Sequence, residues 1–226
     1  ARGESIWVQL MKSRQNKHGS LSHTRLGLTD NVHSQKIMGL ISTLLDQLGI
    51  ESEKLEAVAV SSGPGSYTGL RIGVSVAKGL AYALDIPLIG VPSLEALGSQ
   101  VIPFCEKSDH IIPMIDARRM EVYANVIDSN GVILQKAAPV VLESNPYIRY
   151  LEEGLVYFLG DGVEKAKEVL SHQNARFLPC LNSSKALGNI AYQKFLESEF
   201  EDLAYFEPNY LKEFRVLASK KNPLLI

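Results

Sequence analysis

Cysteine is scarce: Cys105 and Cys180 are the only two in 226 residues and lie far apart. That spacing offers no disulfide framework and no redox or zinc pair, and it suits a reducing compartment, so both thiols are expected as small buried hydrophobes in a cytoplasmic protein. No apolar run approaches the roughly 20 residues that span a bilayer, and no basic-then-apolar leader opens the chain, so no membrane contact is expected. Charge of one sign is lacking too. With 23 Lys and Arg against 25 Asp and Glu, the net charge is −2 and the pI is near 6.3, which gives no general attraction to nucleic acid and leaves room only for a local basic patch. The five histidines, His18, His23, His33, His110 and His172, have no zinc spacing. Nucleophile elbows of the Gly-x-Ser-x-Gly kind and Gly-Lys-Ser/Thr phosphate loops are both missing. What remains is ordinary globular composition, 46% hydrophobic and 21% charged, enough for one large domain or two small ones.

Residues 61–73 stand out within this composition. An apolar run, Ala57-Val58-Ala59-Val60, reads as a short buried strand and stops in a glycine-rich turn, Gly63-Pro64-Gly65. Glycines at 63, 65 and 69 permit close backbone approach, and Ser66 or Thr68 can cap the helix that follows. Such a turn has two readings, an anion cradle at a helix N-terminus or a tight structural turn. The helix reaches about Ala83, and Gly69, Gly73, Ala77 and Ala81 recur along it every fourth residue. They form a ridge of minimal side chains that admits a closely packed helix, from this chain or from another.

The rest of the chain alternates strands and helices. Residues 5–12 and 22–29 read as strands joined by a solvated basic connection, with Asp30 and Asn31 as cap candidates. Over residues 33–48, Ile37, Leu40, Ile41, Leu44, Leu45 and Leu48 follow helical spacing until Gly49, and Met38 falls off that stripe as an exposed candidate for an interface. A strand over 86–91 leads into a helix capped by Pro92-Ser93 and running to about residue 102. Strand, helix, strand, helix implies parallel pairing and an α/β fold. A second strand-rich section opens at residue 111. Val122, Ala124 and Val126 share one face of a strand, Asn130-Gly131 marks a hairpin, and Gly160-Asp161-Gly162 forms a second glycine turn. Asp161 is read equally as a helix cap or a metal contact. Asp116, Arg118, Arg119 and Glu121 crowd one strand entrance, where mutual pairing is favoured over catalysis. A final helix begins at Ser183 or Ser184, the aromatic tail over 204–211 is expected to pack back on the body, and residues 212–221 form a basic terminus. This plan predicts two similar lobes, residues 1–103 and 104–226.

The segments Gly63-Pro64-Gly65-Ser66-Tyr67-Thr68-Gly69-Leu70-Arg71-Ile72-Gly73 and Pro87-Leu88-Ile89-Gly90-Val91-Pro92-Ser93-Leu94, with residues 116–123, 160–162 and 208–211, resemble the TsaB (YeaZ) family. That family is the non-catalytic dimerization subunit of the bacterial complex that makes threonylcarbamoyladenosine in tRNA. The resemblance implies an actin-like ATPase (ASKHA, ribonuclease H-like) architecture and docking to the catalytic subunit TsaD, which transfers threonylcarbamoyl to adenosine 37. It further implies the ATPase TsaE in the larger complex and tRNA contact only through partners. A homodimer through the same helices is expected without them. The helices over 33–48 and 69–83 would supply the interface through Met38, Ile41, Leu45, Tyr67, Leu70, Gly73, Val74, Ala77 and Ala81, so Ala77→Arg is expected to break the complex and spare the fold. No cofactor is expected on the isolated chain, with nucleotide allowed at a subunit interface. TsaD carries a His-x-x-x-His metal pair where this chain has Val91-Pro92-Ser93-Leu94-Glu95-Ala96-Leu97, without an imidazole. The family also opens with a strand ending in an acidic residue and Thr or Ser, the first phosphate loop of the fold. No such segment follows the opening Ala1-Arg2-Gly3-Glu4, and its absence from the molecule would remove both nucleotide binding and the edge of the first sheet. The alternative is an independent ATP- or metal-dependent enzyme of the same fold, a kinase or metallopeptidase.

Overall fold

The computed structural model describes residues 10–11, 21–22 and 33–212. Most of the strands expected over 5–12 and 22–29, together with His18 and His23 and nearly all of the basic terminus, lie outside the described residues. β1 (Leu10–Met11) and β2 (Leu21–Ser22) pair antiparallel.

The first lobe is built on β3 (Val58–Gly63) and β4 (Leu88–Pro92), which run parallel and are joined by the 18-residue helix α2 (Tyr67–Leu84). Ser66 caps α2 by accepting a hydrogen bond from Gly69 N at 3.2 Å, and Asp85 ends it in the left-handed region at φ 52°. The two strands are covered on both faces, as parallel strands require. On one side Val58, Val60 and Leu88 meet Ala77 and Ala81 of α2 with Leu203 and Phe206 of the tail. On the other, Ile89 and Val91 pack with Ala96 of α3 (Ser93–Gly98) and Leu187, Ile190 and Ala191 of α6 (Ser184–Leu196). Helix α1 (His33–Leu48) packs against α2.

The second lobe carries a five-stranded sheet in the order β7-β6-β5-β8-β9. β5 (His110–Asp116), β6 (Glu121–Asp128) and β7 (Ile133–Val141) form an antiparallel meander, while β8 (Val156–Leu159) and β9 (Ala175–Leu178) run parallel on the other side of β5. This is the ribonuclease H-like sheet of the actin-like architecture, and β8–β9 repeats the parallel pair β3–β4 of the first lobe. One face of the sheet holds Ile112, Met114, Val122, Ala124, Val126 and Phe158 against α4 (Ile148–Glu153) and α5 (Val163–Ala166). The other holds Ile111, Ile115, Ile127 and Leu159 against Leu94 and Leu97 of α3. Helix α3 therefore touches both sheets, and one core cluster joins Leu94, Leu97 and Val101 to residues beyond 104.

Three local features differ from the sequence reading. Helix α3 ends at Gly98 instead of near residue 102, where a methyl group at 98 would lie 2.7 Å from Ile127 Cδ1. Ser93 does not cap α3; Pro92 occupies the cap position and the Ser93 hydroxyl shares a 2.5 Å hydrogen bond with Ser61 of β3. Gly162, not Asp161, occupies the cap position of α5, and Asp161 Oδ1 accepts from Asp116 N at 2.9 Å. The remaining described histidines that carry contacts are structural: His110 is buried against the Tyr150 ring, and His172 Nδ1 accepts from Asn174 N.

Candidate functional site

The glycine turn is filled by the chain's own tail. After α6 the chain crosses β4, where Glu201 N donates to Leu88 O at 2.9 Å, and then returns toward the turn, where Asn209 N donates to Ser62 O at 2.7 Å. Lys78 of α2 ties this strap down by donating to the carbonyls of Ala204 and Phe206 at 3.2 and 3.0 Å. Gly63 sits at φ 101°, and a methyl group there would lie 2.8 Å from Asn209 O. Glycine at 63 thus serves a left-handed backbone and a close approach of the tail. Of the two readings of the turn, these contacts support the tight structural one. The turn at Gly160 repeats the device at the end of β8, with φ 112° and Met114 O 2.2 Å from where a methyl group would stand.

The nine residues expected at a partner interface divide into two groups. Met38 is exposed at 48% and Tyr67 at 39%, while Ile41, Leu45 and Gly73 are half-buried. Leu70, Val74, Ala77 and Ala81 are buried within this chain. The small-residue ridge expected to receive a foreign helix is packed by β3, β4 and the tail, because these elements need its shallow profile to approach α2 closely. Ala77→Arg would therefore bury a charge in the core, and it does not probe an interface. The face of α2 turned outward carries Arg71, Ser75, Gly79 and Tyr82, all exposed, with Tyr82 at 80%. Their spacing of four, four and three residues puts them on one stripe. Gly79 and Gly39 of α1 both have open space where a side chain would stand. The sequence signal for this stripe was present in Gly79 and Tyr82 but was hidden behind the more regular ridge.

Within residues 91–97, the stretch where the resemblance sets TsaD's metal pair, Ser93 is bonded to Ser61 and Leu97 is fully buried in the core. Neither a hydroxyl already engaged with another hydroxyl nor an aliphatic side chain fits a metal. Among the described residues, no group of three or more His, Cys, Asp or Glu is placed to hold one. Burial pushes the Cys105 thiol up to about 11, with Asp109 adding to the effect, and burial raises Cys180 as well, so neither is an activated nucleophile.

The charges beside β5 are largely structural. Lys165 donates to Asp116 Oδ1 at 2.5 Å, to Arg119 O at 2.9 Å and to Glu121 O. Asp116 Oδ1 also accepts from Arg118 N at 2.8 Å, and Glu121 pairs with Lys212 of the tail. These bonds hold Arg118 and Arg119 in the left-handed region at φ 66° and 51°. Among the described residues no helix is long and apolar enough to cross a membrane.

Residues 27–219 match the family model for TsaD, tRNA N6-adenosine threonylcarbamoyltransferase. The chain is 39% identical over 107 residues to the Bacillus subtilis tRNA threonylcarbamoyladenosine biosynthesis protein TsaB, covering 47% of this chain and 45% of that one. It is 28% identical over 190 residues to the Escherichia coli protein of the same name, covering 80% of each. The match spans less than half the length of the Bacillus subtilis relative and of its Haemophilus influenzae counterpart, at 45% and 40%. Among solved structures, a Pseudomonas aeruginosa protein described as similar to the peptidase YeaZ superposes with a TM-score of 0.72 at 23% identity, covering 87% of this chain and 92% of that one. At that identity the likeness is one of fold. The curated relatives it resembles, two of them over less than half their length, carry the name TsaB, and by the extent of the family match the chain belongs to the TsaD-type family.

Proposed function

We propose that this chain is a non-catalytic partner subunit that binds TsaD in the cytosol and supports its transfer of threonylcarbamoyl to adenosine 37 of tRNA. The observation that carries this reading is the packing of residues 91–97, the stretch where the resemblance sets the catalytic subunit's metal pair: the Ser93 hydroxyl is bonded to Ser61 and Leu97 is buried in the core. The docking surface is the outer face of the α1–α2 pair. Met38 is its apolar contact, Ile41, Leu45 and Tyr67 contribute partly exposed edges, and Gly39 and Gly79 leave room for a close helix. The same face serves a homodimer when TsaD is absent, and TsaE joins the larger assembly. An independent kinase or metallopeptidase is the weaker reading, because the glycine turn is filled by the tail and the metal place by core residues.

Affinity capture of the chain with TsaD tests the proposal. Gly79→Arg and Met38→Arg are expected to weaken capture by at least about tenfold, in line with a central interface position, with melting temperatures near that of the parent. Undiminished capture by both folded variants would contradict the docking face, and no capture by the parent chain would contradict the partner.

A further inference from the structure

The tail reaches the docking face at Tyr67, in the first turn of α2. One turn on, Arg71 donates to the Tyr67 hydroxyl at 2.9 Å, with its guanidinium carbon 5.1 Å from the ring centroid. From the tail, the Tyr210 ring meets the Tyr67 ring at 4.8 Å, tilted by 37°. Burial raises the Tyr210 phenol and the Arg71 charge opposes that rise, so one guanidinium lies within reach of both rings. Tyr210 is itself held between two fixed points. Just before it, Asn209 N donates to Ser62 O at 2.7 Å in the first lobe. Two residues after it, the Lys212 ammonium pairs with Glu121 and stands 5.6 Å over the Tyr123 ring in the second lobe. A segment anchored on both lobes thus sets where the Tyr67 ring lies, while 39% of Tyr67 stays exposed.

We propose that Tyr210 is a positioning residue for docking: the tail braces Tyr67 in the pose in which it meets the partner. This rests on the partner reading above and adds the means by which that face is set. A side chain free to turn loses its freedom on binding, whereas one already held loses less, so a brace raises affinity without adding a contact to the partner. An aromatic pair suits the task, because offset and tilted ring contacts fix orientation as well as distance. The anchor at Lys212 also makes the brace depend on the second lobe. A docking face carried by α1 and α2 of the first lobe is in this way set partly by the other.

Calorimetric titration of TsaD with the full chain, beside ring-proton NMR of the chain alone, tests the brace. In the parent the Tyr67 ring resonances should be displaced by the Tyr210 ring current, and Tyr210→Ala should move them toward the positions of free tyrosine. Tyr210→Ala should raise the Kd for TsaD about fivefold, while Tyr210→Phe, which keeps the ring, should stay within about twofold of the parent. In a Tyr67→Ala background, Tyr210→Ala should add no further loss, because it acts through Tyr67. If Tyr210→Ala fails to fold, Tyr210→Leu, apolar without a ring, takes its place with the same expectations. A Kd unchanged by Tyr210→Ala, or a loss of the same size with Tyr67 present and removed, would overturn the brace. Tight binding of TsaD by a parent whose Tyr67 resonances are those of free tyrosine overturns the brace alone. No binding by a parent whose Tyr67 ring is displaced overturns the partner reading and leaves the brace supported.

Discussion

Gly63 is held at φ 101° with Asn209 O where a Cβ would need to be, so two costs coincide at one residue. A side chain there meets both the left-handed backbone and the carbonyl of a residue whose own N–H is bonded into the turn. Gly63→Ala should lower unfolding free energy by about 3 kcal/mol, a strain of the upper order for a single backbone outlier, measured by urea denaturation; a loss under about 0.5 kcal/mol would show that the tail yields easily. Cys105 gives a second prediction. Its folded value is raised to about 11 by burial from an ordinary value of about 8.5, so its contribution is fully present below about 8.5 and declines as pH rises toward 11, where the unfolded chain ionises first. Alkylation by iodoacetamide at pH 8 should therefore run much slower in the native chain than in the denatured one, and equal rates would refute the burial. The isolation of Cys105 and Cys180 in sequence led to an expectation of full burial, whereas both are half-buried. That Gly63 would serve Asn209, 146 positions downstream, was not legible, because nothing local records which distant segment returns.

The helix α2 shows the same limit at the scale of an element. Its four-residue ridge was visible as a pattern, and Ser66 or Thr68 as its cap, but a period says only that something packs closely there and not whose backbone it is. The tail, with Leu203 and Phe206, fills the ridge, and the outward stripe through Gly79 and Tyr82 became apparent only once that was known. The variants used to test docking divide accordingly. Ala77→Arg should lower stability by more than about 4 kcal/mol, the range of a charge forced into a core, whereas Gly79→Arg should leave it unchanged or raise it by up to about 1 kcal/mol through helix propensity. Thermal melts of the two variants check this directly, and a stable Ala77→Arg would place the ridge at the surface after all. Strand β7 was partly missed for a related reason: most of its residues are exposed on an edge, so the alternation that betrays a half-buried strand is weak. Strand β9, four residues between loops, carried too short a pattern to read.

For the whole molecule, the order of strands and glycine turns was enough to give a duplicated α/β plan, and the second lobe bears it out as a complete five-stranded sheet. Less legible was how the lobes join. Helix α3 sends Ala96 toward one sheet and Leu94 and Leu97 toward the other, so the place that could have held a metal is instead the hinge of the core. Under the partner reading proposed above, the chain supports chemistry by holding other molecules in position. The most direct measurement is a reconstituted assay of threonylcarbamoyl transfer to tRNA, run with TsaE and the other substrates present throughout. The expected result is transfer when TsaD and this chain are combined, none with this chain alone, and a drop of at least about tenfold with Gly79→Arg in place of the parent. Transfer by this chain without TsaD, or full activity of TsaD without this chain, would contradict it.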